Sequence, residues 1–215
     1  MLKFNHSRGD TIIEVLFAIT VFSLLVVGSL SIMNQGSATA QRSLEISLVR
    51  NEIDAQAEAL RFLNASYVAA YESGASTAGS NPFSATESAA ARSWWGIDKN
   101  TATDTIISTF GTCPDSIPSN SFIINTKNAA RLNLDIANWS SATTYAQVRY
   151  KSTDPNSIDK AEGIWIEAVK PNIATGHNQD NASYIDFHIR ACWYSLGQST
   201  PMTLGTIVRL YEPLN

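Results

Sequence analysis

From Val15 to Met33 the chain runs for 19 residues without a charge or a proline. A helix needs about 20 apolar residues to cross the hydrocarbon core of a membrane, so this run is long enough to span one. Lys3 and Arg8 precede it, and residues 1–9 carry no acid. Positive charge ahead of an apolar run holds that end on the cytoplasmic side and sends the remainder outward. Two acids, Asp10 and Glu14, stand between the basic leader and the run. Glu14 lies at the edge of the hydrocarbon, where an unpaired charge costs about 2.5 kcal/mol or more at depth. An acid so placed needs a partner.

Two familiar kinds of segment fit the apolar run but not the acid. A secretory signal peptide has some support, because Ala38-Thr39-Ala40 forms a small-residue cleavage pattern just beyond the run. That alternative makes the chain a secreted globular domain, an enzyme or a binding module, released after Ala40. Against it, the run exceeds the usual apolar core of about 7–15 residues, and Asp10 and Glu14 dilute the basic leader. A plain signal anchor explains the run and gives no reason for Glu14.

The stretch Gly9-Asp10-Thr11-Ile12-Ile13-Glu14-Val15-Leu16 resembles the cleavage and methylation site of the type IV pilin and pseudopilin family. The likeness lies in Gly9, Thr11, the aliphatic pair Ile12-Ile13, and Glu14 five residues after the glycine. It covers roughly residues 6–40, and beyond them it rests on architecture. The resemblance implies that a prepilin peptidase cuts between Gly9 and Asp10, that the apolar helix is retained, and that Asp10 becomes the N-methylated first residue. It also implies that Glu14 neutralises the new N-terminal amine of a neighbouring subunit during assembly. Opposite charges attract strongly in a low-dielectric bundle, and removing either strands the other. Asp10 departs from the apolar residue usual at that position, and its carboxylate competes with Glu14 for the amine.

From Gln41 to Tyr71 the sequence stays rich in Ala, Leu, Glu, Arg and Gln, with no glycine or proline. Ile46, Val49, Ile53, Ala57, Leu60, Leu63, Tyr67 and Ala70 recur at steps of three or four, which predicts one apolar helix face. Arg42, Glu45, Arg50, Glu52, Asp54, Glu58 and Arg61 fill the other, read as solvated. A helix from about Thr11 to Tyr71 would be about 90 Å long at 1.5 Å per residue. Gly28 and Gly36 weaken its apolar half by about 1 kcal/mol each relative to alanine. In the family this part of the helix extends on packing into a filament.

Ser73–Ala91 is rich in Gly, Ser, Ala and Thr and reads as a loop, with Trp94-Trp95 anchoring a connecting segment onto the core. Strand-like runs follow at Ser121–Asn125, Tyr145–Lys151, Gly163–Lys170, Tyr184–Leu196 and Thr206–Glu212. The alternation of Ile185, Phe187, Ile189, Ala191 and Trp193 predicts a half-buried strand, with Asp186, His188, Arg190 and Cys192 on its more solvated face. An even cysteine count outside the membrane suits a Cys113–Cys192 disulfide, against two separate buried thiols. Closing a loop of about 80 residues stabilises by about 4 kcal/mol in the chain-entropy model.

The fold class is α+β: a long N-terminal transmembrane and amphipathic helix with a C-terminal antiparallel β-sheet head, the layout the resemblance implies. The chain divides into a leader (1–9), the transmembrane and assembly half of the helix (10–36), its amphipathic half (37–72), a connecting loop region (73–120) and the head (121–215).

No catalytic constellation is legible. Only His6, His177 and His188 exist, and there is no G-x-S-x-G elbow, phosphate loop or dinucleotide fingerprint. Asp154-Pro155-Asn156-Ser157-Ile158-Asp159 crowds oxygen ligands but lacks the glycine and terminal glutamate of a calcium loop, so a polar turn is expected. The net charge of −4 is scattered, without a basic stripe for nucleic acid. The chain thus reads as a non-enzyme without cofactor or metal. Its expected partners are other pilin subunits, the prepilin peptidase, a membrane assembly platform and, before assembly, the cytoplasmic membrane. The expected end point is an extracellular or cell-envelope filament. A long mature chain favours a minor pilin or a pseudopilin.

Overall fold

The computed structural model describes residues 10–72, 89–100, 111–170 and 184–213. The chain separates into two compact units at Leu44/Glu45. Helix α1 (Asp10–Glu72) contributes residues 10–44 to the first and 45–72 to the second. It is continuous through Gly28 and Gly36, and nothing lies within 4 Å of where a β-carbon would stand at either.

The second unit also holds α2 (Ala89–Asn100) and eight strands: β1 (Phe122–Asn125), β2 (Ala130–Asn133), β3 (Trp139–Ser140), β4 (Gln147–Tyr150), β5 (Ile158–Glu162), β6 (Ile164–Val169), β7 (Tyr184–Trp193) and β8 (Met202–Tyr211). They form two sheets, not the single antiparallel sheet expected. The larger, in the order β2-β1-β6-β7-β8, is antiparallel throughout. The smaller, β3-β5-β4, contains a parallel pair, β3 with β5. β2, β3 and β5 carry no strand signature. β3 is two residues long, and Ile-Asp-Lys-Ala-Glu of β5 is strand because it pairs on both sides, not because of its propensity.

The expected apolar stripe of α1 packs as one core with both sheets and α2. Val49, Ile53, Ala57, Leu60, Leu63, Tyr67 and Ala70 are buried, while Ile46 at the start of the stripe is exposed. The region read as a connecting loop contains α2, which buries Ala90, Ala91, Trp94 and Ile97. Trp94 does anchor this segment, from a helix and not a loop. Its ring lies 5.4 Å from Phe187 and 6.3 Å from Tyr67, and its indole N–H donates to Glu212 at 3.2 Å.

The polar residues of α1 are not simply solvated. Glu45 accepts from the Trp193 indole at 3.1 Å. Glu52 accepts from the Val148 backbone, and burial raises its carboxyl above the ordinary glutamate range. Gln56 is fully buried within the stripe; its amide donates to the Ile124 carbonyl and accepts from the Ile124 N–H, both at 2.9 Å. β1 and β6 pair only through Phe122 and Ile166, so Gln56 takes the place of a strand neighbour two residues further on.

The face of β7 read as solvated is also covered. His188, Arg190 and Cys192 are buried and Asp186 is half-buried. Cys192 is bonded to Cys113, at a Cα–Cα distance of 5.3 Å, which ties the 111–114 segment to this face. Between the two sheets the chain turns at Gly163, where φ is +62° and an added β-carbon would stand 2.3 Å from the Cys192 carbonyl oxygen.

All five tryptophans lie between 94 and 193, so intrinsic fluorescence reports unfolding of the second unit. Gln56→Leu leaves the Ile124 N–H and C=O without partners. It should lower stability by about 2–6 kcal/mol, from the usual cost of an unpaired buried polar group taken twice. A urea midpoint unchanged from wild type would show that water or β6 takes over. The Cys113→Ala/Cys192→Ala variant should lose up to about 4 kcal/mol in the same measurement.

Candidate functional site

The candidate site is the N-terminal part of α1. Asp10 is the first helical residue; Gly9 and the side chain of Asp10 lie outside the described residues. Glu14 is exposed on the helix. From Val15 to Gln41 no charged residue follows it, and the first cation beyond is Arg42. Among the described residues Glu14 has no ion pair or hydrogen bond. Ile12, Phe17, Phe22, Leu24, Ile32 and Met33 are among the large apolar side chains around and after it, each at least 66% exposed. Thr20 and Ser23 return their hydroxyls to the carbonyls of Phe17 and Ile19, at 2.8 Å each, so the helix satisfies these donors itself. The helix is long and apolar enough to cross a membrane, and its apolar window is unburied. A signal sequence near an N-terminus is also an apolar helix of this general kind.

The second unit offers little chemistry by comparison. His177 lies outside the described residues. In the Asp154 turn, one carboxylate oxygen accepts from the Asn156 N–H at 3.0 Å and the other from the Ser157 hydroxyl at 2.5 Å, so both serve the turn. These bonds hold the Asp154 carboxyl below the usual aspartate range. No cluster of three metal-ligating side chains is found among the described residues. An open groove of about 660 Å³ runs beside Phe62, Ala59 and Lys127. Its charges already have partners: Glu58 accepts from Arg61, and Lys127 donates to the Pro155 carbonyl and sits 3.9 Å from the centre of the Tyr150 ring.

The sequence reading missed the buried carboxylates. Glu167 accepts from the Trp165 indole at 2.9 Å, Glu162 accepts from Arg149 at 2.9 Å and Gln147 at 3.2 Å, and Glu212 joins Lys170 and Trp94. His188 stands across the ladder from Glu167. Burial, helped by Arg190, holds its imidazole below the ordinary histidine range in spite of Asp186 and Glu167, so it is mainly neutral at pH 7. These groups support indoles and strands, and the cleft beside Arg190 is about 10 Å³. Comparison with protein-family models, with curated proteins and with solved structures returns no match.

One surface pair gives a pH dependence. Arg209 makes two hydrogen bonds of 2.7 Å to Asp186, and its guanidinium lies 4.0 Å from the centre of the Tyr184 ring. These hydrogen bonds hold the Asp186 carboxyl below the usual aspartate range. A depressed folded pKa adds stability above the unfolded value of about 4 and loses it as pH falls through the folded value. Asp186→Asn should therefore be less stable than wild type at pH 7, and the difference should shrink below about pH 4. Parallel stability profiles across that range would remove Asp186 as a source of acid sensitivity.

Proposed function

We propose that this chain is a structural subunit, a minor pilin or pseudopilin, of a type IV pilus-like or type II secretion-like filament. Its work is assembly and not catalysis. It is inserted in the cytoplasmic membrane with its N-terminus inside, and cut by a prepilin peptidase between Gly9 and Asp10. It then passes through a membrane assembly platform into the filament. Contact with other subunits runs through the apolar part of α1. No cofactor or metal takes part.

The observation that carries this reading is the isolation of Glu14. It is the one charge on a helical stretch that is otherwise uncharged from Thr11 to Gln41 and whose apolar side chains are exposed. Lipid accommodates such side chains but not an unpaired carboxylate. A neighbouring subunit accommodates both if it brings a cation to the same depth, as the amine created at Asp10 would.

The alternative, release of a secreted domain after Ala40, has less support. Ala38-Thr39-Ala40 lies inside α1, which continues to Glu72, and cutting there severs a helix in mid-run. The Thr39 hydroxyl bonds the Gln35 carbonyl at 2.9 Å within the same helix.

N-terminal sequencing of the mature chain separates the two. A start at Asp10 is expected; a start at Gln41 refutes the filament reading. Glu14→Ala should still be processed, yet its recovery in sheared filaments should fall at least tenfold. Normal incorporation would remove the pairing role. Methylation of the new N-terminus shows as a 14 Da increase in the mass of the first peptide.

A further inference from the structure

The larger sheet ends in a long free edge. β8 pairs with β7 through ten consecutive residues, from Tyr184 with Tyr211 to Trp193 with Met202, without a bulge. Its outer side can be read from its neighbours. The Cys192 N–H donates to the Gly163 carbonyl at 2.8 Å, toward the chain that continues into β6. By the alternation of a strand, Arg190, His188 and Asp186 direct their backbone groups the same way, whereas Ala191, Ile189 and Phe187 direct theirs to β8. Their partners Leu204, Thr206 and Val208 direct theirs back. The backbone groups of Thr203, Gly205, Ile207 and Arg209 therefore point out of the sheet. Tyr211 is in the same phase, and its carbonyl accepts from the Asn64 side chain at 3.0 Å.

Thr203, Gly205, Ile207 and Arg209 are all exposed, and among the described residues their outward N–H and C=O groups have no hydrogen-bond partner. Exposed edges are ordinarily blunted by proline, lysine, bulges or short length. β8 has none of these. Its one charge, Arg209, is held by Asp186 on the adjacent strand. A row of donors and acceptors at ladder spacing is chemically specific for another extended backbone.

We infer that β8 pairs, antiparallel, with β8 of a second copy of this chain, about a two-fold axis through Thr206. The register follows from the edge itself. Centring on Thr206 places Thr203 opposite Arg209 of the second copy and Gly205 opposite its Ile207, which are the four residues whose outward backbone groups lack partners among the described residues. All of those groups are then satisfied. The side chains agree with this register. Ile207, 58% exposed, lies over a residue with no side chain. Leu204 meets Val208, Met202 meets Leu210, and Thr206 meets Thr206 on the axis. Arg209 meets a threonine, so no like charges stand opposite. Such a pairing is isologous and closes as a dimer. It joins two five-stranded sheets into one of ten strands.

The test uses the full chain in mild detergent with its Cys113–Cys192 bond intact, so that an added cysteine is the only free thiol. Thr206→Cys should cross-link to itself in high yield under mild oxidation. Thr203→Cys should not, because two copies of residue 203 stand six residues apart along the pair, about 20 Å at 3.4 Å per residue. Ile207→Pro removes one outward N–H without touching the β7 ladder; combined with Thr206→Cys it should reduce cross-linking at least tenfold. Ile207→Lys in the same background does so by charge if proline perturbs the strand, and tryptophan fluorescence verifies that either variant is folded. Equal cross-linking at 203 and 206, none at 206, or capture of a different protein by Thr206→Cys in the cell would each overturn the proposal. The pairing does not depend on the N-terminus: processing at Gly9 and the effect of Glu14→Ala are scored separately, so either idea can fail alone.

Discussion

An apolar stripe holds a helix against a sheet but does not say where along the sheet the helix must stop. In the second unit that position is set by polar side chains of α1, each reaching a different strand. Glu45 takes the Trp193 indole on β7, Glu52 the Val148 N–H on β4, Gln56 both backbone groups of Ile124 on β1, and Asn64 the Tyr211 carbonyl on β8. Sliding the helix by one turn would cost little in apolar area, since the stripe repeats, but would break every one of these bonds. In a buried setting each broken bond strands a partner at about 1–3 kcal/mol. The burial of Gln56 makes its contact the most constraining of the set, because it both fills the core and completes the edge of a strand that β6 has left.

A second constraint lies where the two sheets meet. Gly163 is the one residue between β5 of the small sheet and β6 of the large one. Its N–H donates to the Ser140 carbonyl on β3 and its carbonyl accepts from the Cys192 N–H on β7, both at 2.8 Å. A residue with a side chain could not serve, because φ is positive and the Cys192 carbonyl and Ala142 occupy the space. The disulfide attaches at this same crossing. The covalent link therefore reinforces a junction that backbone hydrogen bonds already define, and brings the segment before β1 down onto it.

What could be read in the sequence follows from how local the signal is. The apolar run, the stripe from Val49 to Ala70 and the alternation from Ile185 to Trp193 each extend over nine or more residues, and each lies in an element of the structure. β2, β3 and β5 are short, and pairing decides them: Asp159 and Lys160 are strand because β4 and β3 flank them. The helix of α2 was hidden by the Gly/Ser/Ala-rich stretch ahead of it. The buried acids carry no local signal, because charge by itself points to solvent. Glu162, Glu167 and Glu212 each have donors contributed by side chains two to 118 residues away, and no spacing rule reports such partners. The absence of other charges around Glu14 is legible for the opposite reason, since its immediate neighbours in sequence set it.

The two units differ in how far each completes itself. In the second, the buried carboxylates of Glu162, Glu167 and Glu212 find their donors within the same chain. In the first, apolar side chains are exposed and the lone carboxylate has nothing within the described residues to pair with. Helix geometry offers Glu14 only partial relief. The positive end of the helix dipole favours an acid in the first turn, but the effect fades beyond it, and Glu14 is the fifth residue. A cation supplied from outside the helix at the same depth would offset the remaining cost. Lipid hydrocarbon has none to give, and the filament reading draws the cation from a neighbouring subunit. Gly9 and Asp10 matter to the filament reading for this reason: cutting between them would create an amine at the end of the same kind of helix, and a second copy would carry it to its neighbour's Glu14.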